Sequence, residues 1–325
     1  MNTETSARPR SWRKRFSAAL TPLALGPLAL GLTTLLAAPL YAQTLEDGVL
    51  MQKRVLCAGV VYARDGWKNY WEGSLRRDNG NIGTLTTESA TAVGAYGVTD
   101  RLNVMAMLPY VRTRASEGPL HGMDGFQDLT VAAKYRFLSA PVGGLGRARA
   151  FVVAAASAPV SSYTPDFLPL SIGTGSRRAT GRVTADFEAD AGWFVGASGA
   201  YTRRGNVKLD RPAYYTDDRM YFTNEVAMPD VAEYAVSAGV RRGRLHVPVS
   251  VSGQRTLGGG DIRRQDMPFI SNRMDFVRLD VLATYALPAP VSALSVRGGV
   301  SHVVRGRNVG QATMVTGGLL VGLGF

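Results

Sequence analysis

The stretch Gln311 to Phe325, QATMVTGGLLVGLGF, sorts its side chains onto two faces with a period of two. Thr313, Val315, Gly317, Leu319, Val321, Leu323 and Phe325 share one face; Met314, Thr316, Gly318, Leu320, Gly322 and Gly324 share the other. Successive side chains of a strand point to opposite sides of the sheet, so this period demands a strand. The pattern recurs along the chain. From Ala179 the set Ala179, Gly181, Val183, Ala185, Phe187 alternates with Thr180, Arg182, Thr184, Asp186, Glu188. From Asp128, Leu129, Val131, Ala133, Tyr135 and Phe137 alternate with Asp128, Thr130, Ala132, Lys134 and Arg136. From Val277, Val277, Leu279, Val281, Ala283 and Tyr285 alternate with Arg278, Asp280, Leu282 and Thr284. A soluble sandwich alternates too, but its strands are usually about half this long. Tilted strands of about ten residues are what a bilayer crossing needs.

The expected fold is therefore all-β: a transmembrane antiparallel up-and-down β-barrel of about 12 strands. The strands are expected near 53–64, 83–97, 102–112, 126–137, 148–158, 179–190, 193–204, 230–242, 245–256, 275–287, 292–304 and 311–325. A strand at 67–78 is the alternative to the first. Short connections (98–101, 138–147, 191–192, 243–244, 288–291) alternate with longer ones (65–82, 113–125, 159–178, 205–229, 257–274, 305–310). Short periplasmic turns opposite long extracellular loops are typical of such barrels, and an even count leaves both termini in the periplasm. Closure is required, because lipid tolerates no unpaired sheet edge.

The opposite end of the chain is expected to be an export signal. Arg8, Arg10, Arg13, Lys14 and Arg15 precede a Leu/Ala-rich stretch free of charge from Phe16 to Leu40. Small residues follow, and cleavage after Ala42 would make residues 1–42 the signal peptide and 43–325 one barrel domain. An uncleaved anchor is the alternative reading; Pro22, Pro27 and Pro39 weigh against a lasting helix. Cys57 follows Arg54-Val55-Leu56, which is no lipid-attachment sequence, and a single cysteine forms no internal disulfide. The formal net charge is +12. Its basic residues are scattered along the strands, so no nucleic-acid partner is expected. Outer-membrane lipid, the barrel assembly machinery and a small-molecule solute are the expected partners, and the outer membrane of a Gram-negative bacterium the expected location.

Aromatic residues fit the same topology. Tyr135, Phe137, Trp193, Tyr285 and Phe325 fall on outward faces at the short-turn end, and Tyr110, Tyr201 and Tyr234 at the other. Two aromatic girdles are expected where rings meet the headgroups. The terminal strand with its final Phe325 resembles the closing strand of outer-membrane barrels, whose last aromatic the assembly machinery reads. Tyr96-Gly97-Val98-Thr99-Asp100-Arg101-Leu102-Asn103-Val104, then Leu108-Pro109-Tyr110, Gly125-Phe126-Gln127-Asp128-Leu129 and Lys134-Tyr135 resemble a family of outer-membrane transporters. That family is named for the meta-cleavage pathway of phenol degradation and carries a core YGxTDxLxV…LPY…GxxDL…KY. The resemblance covers about residues 96–137 and implies a transporter barrel; the phenol label belongs to the family name. Tyr70-Trp71-Glu72-Gly73 and Asn79-Gly80-Asn81-Ile82-Gly83 resemble a subgroup of such barrels. Physically, Gly97 to Asp100 reads as a tight turn with no transport role.

No enzymatic activity, metal or cofactor is expected. His121 lies in a loop, His246 faces inward, and Ser301 and His302 are strand neighbours on opposite faces. Gly143-Gly144-Leu145-Gly146 lacks the Lys-Ser/Thr of a phosphate loop. Asp186 and Glu188 share an inner face, where Arg182 and Arg204 are expected to neutralise them. The lumen is expected to hold Lys134, Arg136, Arg149, Arg182, Arg204, Arg241, Arg278 and Arg297 facing Asp128, Asp186, Glu188, Asp190, Glu233 and Asp280. Met105, Met107, Phe151, Val153 and Phe194 are inward by parity. This apolar patch either binds a hydrophobic solute or plugs the lumen. Phe167, Leu168, Leu170 and Ile172, with Tyr214 and Tyr215, are expected as solute-binding residues of the outer loops. Packing of those loops on each other over the barrel is the alternative. Two functions follow: passive passage of a small hydrophobic or aromatic solute, or a closed structural or surface-interaction barrel.

Overall fold

A computed structural model describes residues 43–263 and 266–325. The expected export signal, residues 1–42, lies outside the described residues. Twelve long strands carry the fold: β1 (Val55–Trp67), β2 (Leu85–Gly97), β3 (Leu102–Ala115), β4 (Asp128–Val142), β5 (Gly146–Pro159), β6 (Arg178–Ala189), β7 (Trp193–Arg204), β8 (Val231–Arg242), β9 (Leu245–Thr256), β10 (Asp275–Ala286), β11 (Leu294–Arg307) and β12 (Thr313–Gly324). Each pairs antiparallel with the next, and β12 returns to β1 with Val55 opposite Gly324 and Gly66 opposite Thr313. The sheet is closed. The expected all-β barrel is the observed fold.

The outer wall is apolar because the alternating positions deliver it so. Val131 is 48% exposed, Val183 57% and Val236 60%, values that suit contact with lipid rather than water. Tyr135, Phe137, Trp193 and Tyr285 point outward at the short-turn end, and Tyr110, Tyr201 and Tyr234 at the long-loop end.

Several boundaries differ from the sequence reading. The first strand is Val55–Trp67, and the alternative at 67–78 is a small hairpin, Asn69–Glu72 with Leu75–Asp78, standing in the long connection after β1. β3 and β4 extend to Ala115 and Val142, which shortens the β4–β5 turn to three residues around Gly143 and Gly144. Both glycines have positive φ, 51° and 74°, a conformation open to them for want of a Cβ. A bulge between Arg136 and Leu138 breaks strict alternation in β4. It leaves Phe137 and Leu138 both outward, 52% and 50% exposed, and turns Ser139 inward opposite Arg149. The β2–β3 turn is the tight one expected: Val98 N–H donates to the Leu102 carbonyl at 2.9 Å, and Leu102 N–H to Thr99 Oγ1 at 3.0 Å.

The long loops are folded. Ile82, Leu85 and Leu170 form one apolar cluster, packed by Trp67, Ala115, Leu120 and Phe167. Val207, Leu209, Tyr214, Val226, Met228, Phe269 and Ile270 form a second, joined by Leu168.

Candidate functional site

Inward-facing side chains of all twelve strands build the interior, and a segment preceding β1 occupies part of it. Lys134 is completely buried, and its cross-strand neighbours are Asn103 and Val153, neither of them acidic. A buried ammonium needs an anion and acceptors. They come from the segment ahead of β1: Lys134 Nζ donates to Asp47 Oδ1 at 2.8 Å, to the Thr44 carbonyl at 3.0 Å and to the Asp47 carbonyl. The side-chain amides of Asn103 and Gln43 meet at 2.8 Å, Thr184 Oγ1 donates to the Glu46 carbonyl at 3.4 Å, and Arg182 reaches Glu46 at 3.5 Å. Val49 and Met51 pack with Cys57, Ala95, Met105, Ala132, Val153 and Leu320. Residues 43–51 thus fill the short-turn half of the lumen. Gly97 permits the crossing, since a Cβ there would stand 1.9 Å from the Gln52 carbonyl oxygen.

Burial would push the Asp47 carboxyl up. Lys134 beside it, with hydrogen bonds from the Val49 N–H and from Thr44, holds it below the usual carboxylate range. A depressed pKa favours the charged, latched form, so the latch is fully present above the ordinary value of 3.8 and is lost as pH falls below it. Bilayer conductance of the purified barrel is therefore expected to stay flat from neutral pH down to about 4 and to rise only in stronger acid. A rise centred near pH 6 would contradict the assignment.

Beyond this segment lies a cavity of about 470 Å³, the size class of small-ligand sites. Its wall includes Val93, Met105, Met107, Phe194, Ala235 and Met314, and residues 43–48 border it. Met105 and Phe194 are buried. Flexible thioethers and an aromatic face suit an apolar guest of variable shape.

Charges border the same cavity, Asp186, Arg278, Asp280 and Arg297 among them. Arg149 reaches Asp186 at 3.1 Å and also Glu188, while Arg241 reaches Glu188 at 2.5 Å and lies 4.5 Å from the Phe194 ring centre. The expected partners Arg182 and Arg204 are not the ones used. Arg182 pairs with Glu233 at 2.6 Å. Arg182 stands four residues from Asp186 along one strand, about 13 Å, whereas Arg149 lies directly opposite on β5 at roughly 5 Å. Arg136 faces the short-turn mouth and donates to the Asp100 carbonyl at 2.9 Å. Arg178 pairs with Asp128 at 2.8 Å nearer the loops.

The loop residues singled out from sequence are less exposed than their topology implied. Leu170 and Ile172 are buried, and Phe167 and Leu168 half-buried, because their loop folds down against its neighbours. Thr113 Oγ1 donates to the Leu170 carbonyl at 2.5 Å, and Gln127 Nε2 to the Ile172 carbonyl at 2.5 Å, which fixes that fold to β3 and the start of β4. Tyr214 is buried too, stacked on Tyr221 and Phe269 at ring distances of 5.0 and 5.2 Å. Tyr215 remains 47% exposed. Burial, with the Asp128 carboxylate beside it, pushes the Tyr163 hydroxyl well above its usual range. Ser301 is buried inward, while His302 turns outward to Thr313 at 2.8 Å, so the two do not meet.

Sequence reading missed the luminal segment. The available signal was an inward lysine on β4 without an acidic neighbour, together with Glu46 and Asp47 lying ahead of the first strand.

No protein family and no curated protein matches the chain. Among solved structures it is similar to the COG4313 outer membrane channel from Pseudomonas putida F1, with TM-score 0.68 and 13% identity over 84% of this chain and 97% of that one. The translocator domain of autotransporter NalP from Neisseria meningitidis follows with TM-score 0.43 and 10% identity over 85% and 90%, too distant to add to the comparison. The chain shares the closed β-barrel fold of the first of these structures.

Proposed function

We propose that this protein is a passive outer-membrane channel for a small hydrophobic or aromatic solute. The observation that carries the reading is the cavity of about 470 Å³ between residues 43–48 and the inward faces of the strands, its wall largely apolar with Asp186, Arg278, Asp280 and Arg297 at its border. In this reading Phe167, Leu168, Leu170, Ile172, Tyr214 and Tyr215 belong to a lid of the extracellular mouth. Met105 and Met107 line the path, Lys134, Arg136, Asp186 and Glu188 hold the inner closure or border the exit, and Arg182 and Arg204 stand nearer the outer mouth. Movement is diffusive. The resemblance to transporters of the phenol meta-pathway supports an aromatic solute, and residues 1–42 are read as the signal that exports the chain.

Replacing Phe167, Leu168, Leu170 and Ile172 by Ser is expected to loosen the lid while leaving the barrel folded. Burying a Leu side chain is worth about 1.5–3 kcal/mol, and these contacts lie in loops rather than in the strand ladder. The measurement is uptake of aromatic and aliphatic probes by cells carrying either form, with heat-modifiable gel mobility as the folding control. An altered rate for aromatic probes is expected. Uptake that no probe owes to the protein, together with silent bilayers for wild type and variant, would overturn the channel reading. A closed structural or surface-interaction barrel is the second reading, favoured by the packing at both ends of the lumen, and it predicts that silence.

A further inference from the structure

The outward wall near the long loops repeats one arrangement. Tyr62 and Arg64 on β1, Tyr110 and Arg112 on β3, and Tyr201 and Arg203 on β7 stand two residues apart on strands that run toward the loops. Residues so spaced share a face about 7 Å apart. Each ring therefore lies lower on the wall and each guanidinium higher. Tyr62, Tyr110 and Tyr201 are 46%, 40% and 50% exposed, and the three arginines are exposed as well. Arg114 continues the column on β3. Arg255 on β9 joins the third pair through Ala232, the cross-strand partner of both Tyr201 and Arg255.

Acidic residues on this rim are already engaged. Tyr62 donates its hydroxyl to Glu88 Oε1 at 3.0 Å, Tyr110 to Asp124 and Tyr201 to Asp230. Glu88 also lies in cross-strand register between Arg64 and Arg112. Among the described residues none of Arg64, Arg112, Arg114, Arg203 and Arg255 closes an ion pair with a carboxylate. The opposite end differs: two residues beyond Tyr135 and Tyr285, toward the short turns, come Phe137 and Leu287. The tyrosine–arginine step therefore stands at the long-loop end; the exposed Arg242 at the short-turn end follows Val240 rather than a tyrosine.

Outward tyrosines mark the headgroup level of a barrel. Arginines one step above them meet headgroup phosphates, which a guanidinium fork binds in bidentate fashion. We propose that this tyrosine–arginine rim is a binding surface for an anionic lipid of the outward leaflet, a phosphorylated glycolipid whose phosphates the arginines hold while its acyl chains lie on the apolar wall. The inference rests on the outer-membrane reading and is independent of which solute passes.

The test uses the purified full-length barrel in detergent and native mass spectrometry with a bis-phosphorylated glucosamine lipid, the same lipid stripped of phosphate, and inorganic phosphate. Wild type is expected to retain the phosphorylated lipid about tenfold better than the stripped one, roughly the worth of one charge-assisted hydrogen bond, and retention should fall with salt. Arg64→Gln/Arg112→Gln/Arg114→Gln should abolish that preference, and the matching Lys variant should restore part of it. Arg242→Gln, at the short-turn end, should leave it unchanged. Equal retention of the two lipids, or full competition by equimolar inorganic phosphate, would overturn the proposal. Conductance measured on the same preparations separates the readings: lost lipid preference with intact conductance overturns the rim alone, and a wild type that inserts into no bilayer overturns both.

Discussion

Replacing Lys134 by Met is expected to raise the open probability of the purified barrel in a planar bilayer by at least about tenfold, with the barrel still folded. Lys134 is the anchor of residues 43–51, making three contacts to Thr44 and Asp47 from a fully buried position. Removing one member of a buried pair typically costs about 3–5 kcal/mol, because the partner is left charged and unpaired. About two to four decades in the closing equilibrium follow, at about 1.36 kcal/mol per decade. The strand ladders do not depend on the segment, so heat-modifiable mobility should be unchanged. A second variant separates charge from packing. Asp47→Asn combined with Lys134→Met leaves no orphaned ion and should close more often than Lys134→Met alone. Conductance of Lys134→Met equal to wild type would show that the segment does not govern the path.

Val131→Arg is expected to prevent insertion of much of the protein, while Thr130→Arg is tolerated. Val131 points outward at 48% exposure, opposite Ala106 and Ala156; it stands four residues from Tyr135 at one girdle, and Ala106 stands four from Tyr110 at the other. A charge on the lipid face near the midplane costs about 2–4 kcal/mol. Thr130, one residue earlier, faces the interior in register with Met107 and Ser157, where polar and charged side chains already lie. The folded fraction after refolding into lipid vesicles, read by gel mobility, compares the two. Equal folded fractions would contradict the assigned faces.

Much of the barrel was legible in the chain because one physical rule repeats. A tilted strand between lipid and lumen must alternate, and the period survives in the sequence wherever the strand is regular. β7 and β9 have the boundaries read from the pattern, Trp193–Arg204 and Leu245–Thr256. Legibility failed where the period breaks. The bulge at Phe137 adds a residue that no polar or apolar signal marks, and the parity beyond it reverses.

The interior was less legible. Parity alone turned Lys134, Asp186, Glu188, Met105 and Met107 inward, yet partners depend on cross-strand register, which a strand's own sequence does not carry. Hence Arg149 and Arg241, rather than Arg182 and Arg204, hold Asp186 and Glu188. The loop segment Phe167 to Ile172 is apolar in sequence whether it is open or packed; contact with Trp67, Ala115 and Leu120 decides that it is packed.

By itself the sequence determined the class of structure: all-β, closed, about twelve strands, apolar outside and mixed inside. Local alternation and the cost of an unpaired edge in lipid leave few other solutions. Only the tertiary structure decided what occupies the lumen. Residues 43–51 carry no strand period of their own, and their place follows from the unmet demand of a buried lysine 87 positions further along the chain. That demand exists only once the barrel has closed around it.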